Sequence, residues 1–141
     1  MINAAKANLF ITSFVAYNIS SVVKALNAAS ERGVRICMLL ESSRDQGGSI
    51  TIDAIRKMKV LAPSAQLYAW REKADPLSDG RVHAKIAVAD ASVCFITSAN
   101  LTGYAMERNI EAGVLITGGH IPRLVDDHLR ALVEMKVIAL E

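Results

Sequence analysis

Apolar positions along the chain alternate between short unbroken runs and runs spaced three and four residues apart, the pattern of buried strands exchanging with crossover helices. Residues 9–14 form the first unbroken run. Val22, Val23, Leu26 and Ala29 follow at helical spacing until Glu31, Arg32 and Gly33 supply a polar end and a helix-stopping glycine. The unit then repeats. Residues 34–40 predict a second strand and 41–48 a polar loop, while Ile52, Ile55, Met58 and Leu61 line one face of a helix that must stop before Pro63. Residues 66–70 predict a short third strand, and residues 71–81 a polar loop of the length that usually carries function. Three more strands are predicted over 83–89, 93–97 and 110–116, the first two joined by Asp90, Ala91 and Ser92, short enough for a hairpin. Pro122 stands near the start of a last helix whose buried stripe is Leu124, Val125, Leu129, Leu132 and Val133, with Arg123, Asp126, Asp127 and Arg130 on its other faces. The expectation is an α/β fold, with helices layered on a mixed β-sheet.

Composition narrows this picture. The 141 residues suit a single domain over 1–141, and 52% hydrophobic against 21% charged residues excludes a disordered tail or linker. No stretch approaches the roughly 18 to 20 apolar residues of a spanning helix, and the start has no charged region leading into an apolar one, so the protein is expected in the cytoplasm. Residues 2–7 read as the tail of a helix, so an N-terminal segment is expected to be trimmed or missing. Sixteen Lys and Arg against fourteen Asp and Glu give +2, too little to hold nucleic acid by overall charge; any basic patch must be local. Cys37 and Cys94 lie inside apolar runs at a spacing that fits neither a zinc knuckle nor a redox pair, and both read as buried thiols.

Candidate chemistry concentrates late in the chain. His83 and Lys85 share a strand face by their i, i+2 spacing, while Ala84, Ile86 and Val88 fill the other. The same parity joins Ser98 to Asn100, and Asn109 and Glu111 follow. An imidazole, a cation, a hydroxyl, an amide and a carboxylate able to orient the imidazole together suit a phosphoryl oxyanion.

The string His83-x-Lys85-x4-Asp90-x6-Thr97-Ser98-x-Asn100 matches the signature H-x-K-x4-D-x6-G-S-x-N of the phospholipase D superfamily, with Thr97 standing where the family usually has glycine. The departure bears on backbone packing before Ser98 and leaves the reacting groups untouched. The resemblance covers nearly the whole chain and implies phospholipase-D-like α-β-α layers around a mixed sheet. It is strongest to the single-motif branch, small bacterial endonucleases that dimerise through their active sites. It implies His83 as nucleophile, phosphate held by Lys85, Ser98 and Asn100, and Glu111 supporting the histidine. Asp90 and Asn109 enter as motif positions of structural character, Asp90 by capping the hairpin turn. Segments 98–103, 107–111 and 114–119 also resemble the phospholipase-D-like component of the DISARM anti-phage defence system, whose members are longer at the N-terminus.

Cleavage through a covalent intermediate needs one group to attack phosphorus and another to protonate the departing oxygen. The chain has three histidines. His120 sits in a Gly-Gly-His-Ile-Pro turn, and His128 with Arg130 imitates the motif only on a helix, where i and i+2 diverge. A two-fold homodimer that brings His83 from each subunit to one site solves the problem. This scheme requires no metal and no cofactor, and the adjacent Asp126, Asp127 and His128 fan out around their helix. The expected substrate is nucleic acid, DNA or RNA, with Arg44, Arg71, Lys73, Arg81 and Arg108 in nearby loops to track a backbone. The alternatives are a phospholipid hydrolase or phosphatidyl transferase, and a catalytically silent nucleic-acid-binding module. The finer resemblance adds partners in a defence system.

Overall fold

The structure, a computed structural model, describes residues 1–71, 73 and 79–141; the expected loop over 71–81 lies partly outside them. A single 3-10 turn, Ile2–Ala4, leads into strand β1 (Asn8–Ser13). A short strand β2 (Ala16–Tyr17) and helix α1 (Ser20–Glu31) follow, then β3 (Arg35–Leu40), α2 (Ala54–Leu61) and β4 (Gln66–Ala69). The second half comprises β5 (Ile86–Ala89), β6 (Val93–Thr97), β7 (Leu101–Thr102), α3 (Gly103–Glu107), β8 (Gly113–Thr117), α4 (Ile121–Glu134) and β9 (Ala139–Leu140).

Seven strands form one sheet in the order β8-β6-β5-β1-β3-β4-β9. β1, β3 and β4 run parallel, and β5, β6 and β8 are added antiparallel to one another beside β1. The central strands are unbroken apolar runs because both faces are covered. On one face Leu9, Ile11, Ile36, Met38 and Leu40 pack with Leu26 and Ala29 of α1 and with Ile55 and Met58 of α2. On the other, Phe10, Leu39, Tyr68, Val88 and Cys94 pack with Leu129 of α4. The expected three-layer α-β-α architecture is the one the chain adopts.

Local chemistry sets the ends of elements. The Asp53 carboxylate caps α2 by accepting from Arg56 N–H, and the Thr102 hydroxyl caps α3 by accepting from Ala105 N–H. Gly33, at φ +86°, ends α1 in the left-handed region where a Cβ is disfavoured.

Several expectations need correction. The strand expected over 83–89 begins only at Ile86, so Ala84 is exposed rather than core. Residues 110–112 precede β8 instead of opening it. Leu61 and Leu124 are exposed, whereas Asp126 is buried and held by Arg130 one turn on, at 2.6 Å. A paired carboxylate can occupy the inner face because its partner supplies the charge. Cys94 is fully buried, but Cys37 is only half-buried, its Sγ 3.5 Å from Gln66 Oε1.

Candidate active site

The sheet topology gathers the chemistry at one end. β5 is antiparallel to β1, so its first residue, Ile86, pairs with Thr12 near the carboxyl end of β1, and Lys85 and His83 extend beyond it. β6 returns Thr97 to that end, its N–H donating to Lys85 O at 3.0 Å, and β8 starts there with Gly113 opposite Thr97. The residues after β6 and before β8 therefore flank the His83 segment at the carboxyl end of the parallel strands, the usual location of sites in α/β sheets.

The His83 imidazole packs against the Phe14 ring, centroids 5.4 Å apart. Lys85 Nζ donates to His83 O at 2.7 Å and lies 3.3 and 3.4 Å from Nδ1 and Nε2. An ammonium only donates, so a ring nitrogen facing it acts as acceptor. Burial pushes the Lys85 ammonium below its usual value, with the Glu111 carboxylate pulling the other way. Glu111 accepts from Ser98 Oγ and from Asn109 Nδ2, the latter at 3.1 Å. Those two bonds, with Lys85 nearby, outweigh its partial desolvation and hold its carboxyl below the ordinary range. Ser98 also accepts from Ala112 N–H at 3.1 Å. Asn100 Oδ1 is buried and has no hydrogen-bond partner among the described residues.

The geometry thus brings His83, Lys85, Ser98, Asn109 and Glu111 into one linked cluster, with Asn100 two residues from Ser98. It corrects one contact: Glu111 is bonded to Ser98 and Asn109 rather than to the His83 ring, whose neighbours are Lys85 and Phe14. A carboxylate placed just before β8 faces the end of β6 across the ladder, which makes Ser98 its nearest donor.

Asp90 lies at the opposite end of β5. Its carboxylate accepts from the N–H groups of Lys6, Ala7 and Asn8, each at 2.8 Å, and its φ is +53° at the hairpin turn. Burial alone would raise this carboxyl; the three amide donors and the Lys6 ammonium more than offset it and bring it below its usual value. Because the folded value is depressed, the contribution is present above the unfolded value of about 3.9 and is lost as pH falls through the folded one. Asp90→Asn is expected to cost about 1 kcal/mol at pH 7, a modest figure because solvent reaches the carboxylate. Urea titrations should show the difference closing below about pH 4.

The loop cations are largely engaged. Lys73 is buried against Glu41 and donates to Gly80 O, Arg71 pairs with Glu141, Arg81 donates to Asp79 O and Gly80 O, and Arg108 stacks on Tyr104. Thr97, the departure from the family glycine, is accommodated across the ladder: a Cβ on Gly113 would sit 2.9 Å from Thr97 Cβ and 2.8 Å from Ile96 O. Thr97 Oγ1 then donates to Ala112 O and accepts from Ala99 N–H, bracing the Ser98 turn.

The buried polar groups Thr12, Ser13, Glu41, Ser42 and Ser43 lie at the carboxyl ends of β1 and β3 and were not singled out from sequence. Ser13 Oγ accepts from Leu101 N–H at 3.1 Å, fixing the residue after Asn100. Their signal was the abrupt change from apolar to polar at Ile11-Thr12 and Leu40-Glu41. An apolar cavity of about 570 Å³ opens beside Lys85 and Glu111, its walls including Ile11, Val22, Phe95 and Leu101.

Residues 1–133 match the family described as "Cardiolipin synthase, PLD-like domain". The chain belongs to that family, within the phospholipase D superfamily of phosphodiesterases. A cardiolipin synthase of Clostridium perfringens is 27% identical over 127 residues, which cover 90% of this chain and 25% of that protein; the chain spans a quarter of the length of such relatives. Among solved structures, Nuc from Salmonella typhimurium, a phospholipase D family member, superposes with TM-score 0.70 at 23% identity, over 99% of this chain and 85% of that one. NucT from Helicobacter pylori gives 0.71 at 19% identity, over 94% and 82%. Among the described residues, no helix is long and apolar enough to cross a membrane.

Proposed function

We propose that this domain is a metal-independent nuclease working through a phosphohistidine intermediate in a homodimeric site, with a place in anti-phage defence. The carrying observation is the cluster of a single histidine with Lys85, Ser98, Asn109 and Glu111 at the carboxyl end of the sheet. His83 of one subunit attacks phosphorus, and the P–O bond to the leaving group breaks as the partner's His83 protonates that oxygen. The partner's His83 then takes a proton from water, which attacks the phosphohistidine and frees the first imidazole. Lys85 Nζ, Ser98 Oγ and Asn100 Nδ2 donate to the phosphoryl oxygens, the Ser98 hydroxyl turning from Glu111 as phosphate binds. Glu111 holds the Ser98 hydroxyl until then and offsets part of the Lys85 charge.

The dimer reading is supported by exposed apolar side chains around Glu111: Tyr104, Met106, Ile110, Val114 and Leu115, with Ile110 fully exposed. The nuclease reading draws on the resemblance to the small single-motif endonucleases, and the defence role on the resemblance of segments 98–103, 107–111 and 114–119. A second reading, phospholipid hydrolysis or transfer, is favoured by the apolar cavity beside Lys85 and by the cardiolipin synthase relative.

The test incubates purified protein in excess EDTA with plasmid, single-stranded DNA, RNA and phosphatidylglycerol vesicles, at about pH 5 to 8. Nucleic-acid cleavage by a species of dimer mass is the expected result. Release of a lipid headgroup alone would transfer the same chemistry to the second reading. Binding of nucleic acid with no turnover on any substrate would leave a silent binding module.

A further inference from the structure

Glu41 is 1% exposed at the carboxyl end of β3, next to the fully buried Leu40. Its Oε2 accepts from Val82 N–H at 2.7 Å, and its Oε1 lies 3.9 Å from Lys73 Nζ. Lys73, whose side chain is 6% exposed, donates to Gly80 O at 2.7 Å and rests 5.4 Å from the centre of the Trp70 ring. One buried ion pair thus grips the backbone on both sides of Arg81, immediately before His83. The next parallel strand contributes from the other side: Ser13 pairs with Leu40, and Phe14, one residue on, packs on the His83 ring.

Burying a carboxylate and an ammonium costs desolvation that is repaid only through good geometry and further hydrogen bonds, here those to Val82 N–H and Gly80 O. Here the atom held is the amide of the residue preceding His83, in a stretch that precedes β5 and, among the described residues, has no strand partner before Lys85. We propose that Glu41, with Lys73 as its counter-charge, is a positioning residue that fixes His83 for attack on phosphorus. The proposal rests on the phosphohistidine reading for its catalytic consequence and on the geometry alone for its structural one. Glu41 touches no substrate; it acts through Val82.

The experiment uses 15N- and 13C-labelled histidine, because three imidazoles give three assignable sets of signals and His83→Ala identifies the one of interest. Glu41→Ala/Lys73→Met removes the acceptor without leaving an orphan charge. Glu41→Gln/Lys73→Met keeps a carbonyl oxygen within reach of Val82 N–H. Leu26→Ala, in the core under α1, serves as a destabilised control. The Ala/Met variant is expected to move the His83 ring signals, leave those of His120 and His128 in place, and lower kcat by about 10- to 100-fold with KM within about two-fold. The Gln/Met variant restores both, and Leu26→Ala moves neither. A folded Ala/Met variant with native His83 signals and native kcat overturns the proposal. If that variant does not fold, Glu41→Asp decides: its carboxylate, one methylene shorter, is drawn away from Val82 N–H and must shift His83, and native signals there are equally fatal. Should the wild type cleave no phosphodiester, the functional reading fails by itself, while the ring signals still decide whether Glu41 holds His83.

Discussion

His83→Ala is expected to lower phosphodiester cleavage by about three orders of magnitude or more, with the fold intact. The side chain is exposed and its removal empties no core, so circular dichroism and unfolding midpoint should match those of the wild type. In the proposed mechanism the loss is large because the imidazole serves twice, as nucleophile in one subunit and as proton donor and acceptor in the other. Lys85 does not substitute: it is held on the His83 carbonyl oxygen at 2.7 Å. A mixing experiment separates the dimer from an independent subunit. With wild-type and His83→Ala chains exchanged at equal concentration, about a quarter of the dimers hold two histidines, against half of the chains if each acts alone. Activity near a quarter of the unmixed value supports the shared site; activity near a half removes it.

Met38→Ala is expected to destabilise the domain by about 2 to 5 kcal/mol, read from urea unfolding midpoints at constant slope. Met38 is fully buried in β3, at the middle of the sheet, flanked by Ile11 of β1 and Leu67 of β4. Its neighbours are strand backbones and helices α1 and α2, which cannot close on the space a thioether leaves. Domains of this kind are stable by only about 5 to 15 kcal/mol, so the loss is a large share of the total. A cost below about 1 kcal/mol would mean that the centre of the sheet is loosely packed.

The layers were readable from sequence because β1 and β3 are covered on both faces, and such strands must be written as unbroken apolar runs. The motif was readable because its spacing survives regardless of where the strand begins. Strand ends were less so. Residues 110–112 look like a strand start, yet Ile110 is fully exposed, and nothing in an apolar residue's identity tells whether water or protein covers it. Asp126 was placed outside because a carboxylate is rarely buried; Arg130 reverses that, and pairs of this kind become visible only in three dimensions. The contacts of Glu111 with Ser98, of Phe14 with His83 and of Glu41 with Val82 join residues far apart in sequence through the register of the sheet. Local periodicity carries no information about such partners.

The Asp90 carboxylate that gathers the amides of Lys6, Ala7 and Asn8 also ties together parts of the chain more than eighty residues apart. Of the two neighbours of β1, β3 is the nearer in sequence, while β5, on the other edge, lies more than seventy residues on. Closing so long a loop costs conformational entropy before the pairing repays it, and contacts of such separation slow folding. His83 and Lys85 run directly into β5, so the pairing that closes this long loop is also the one that sets them beside β1.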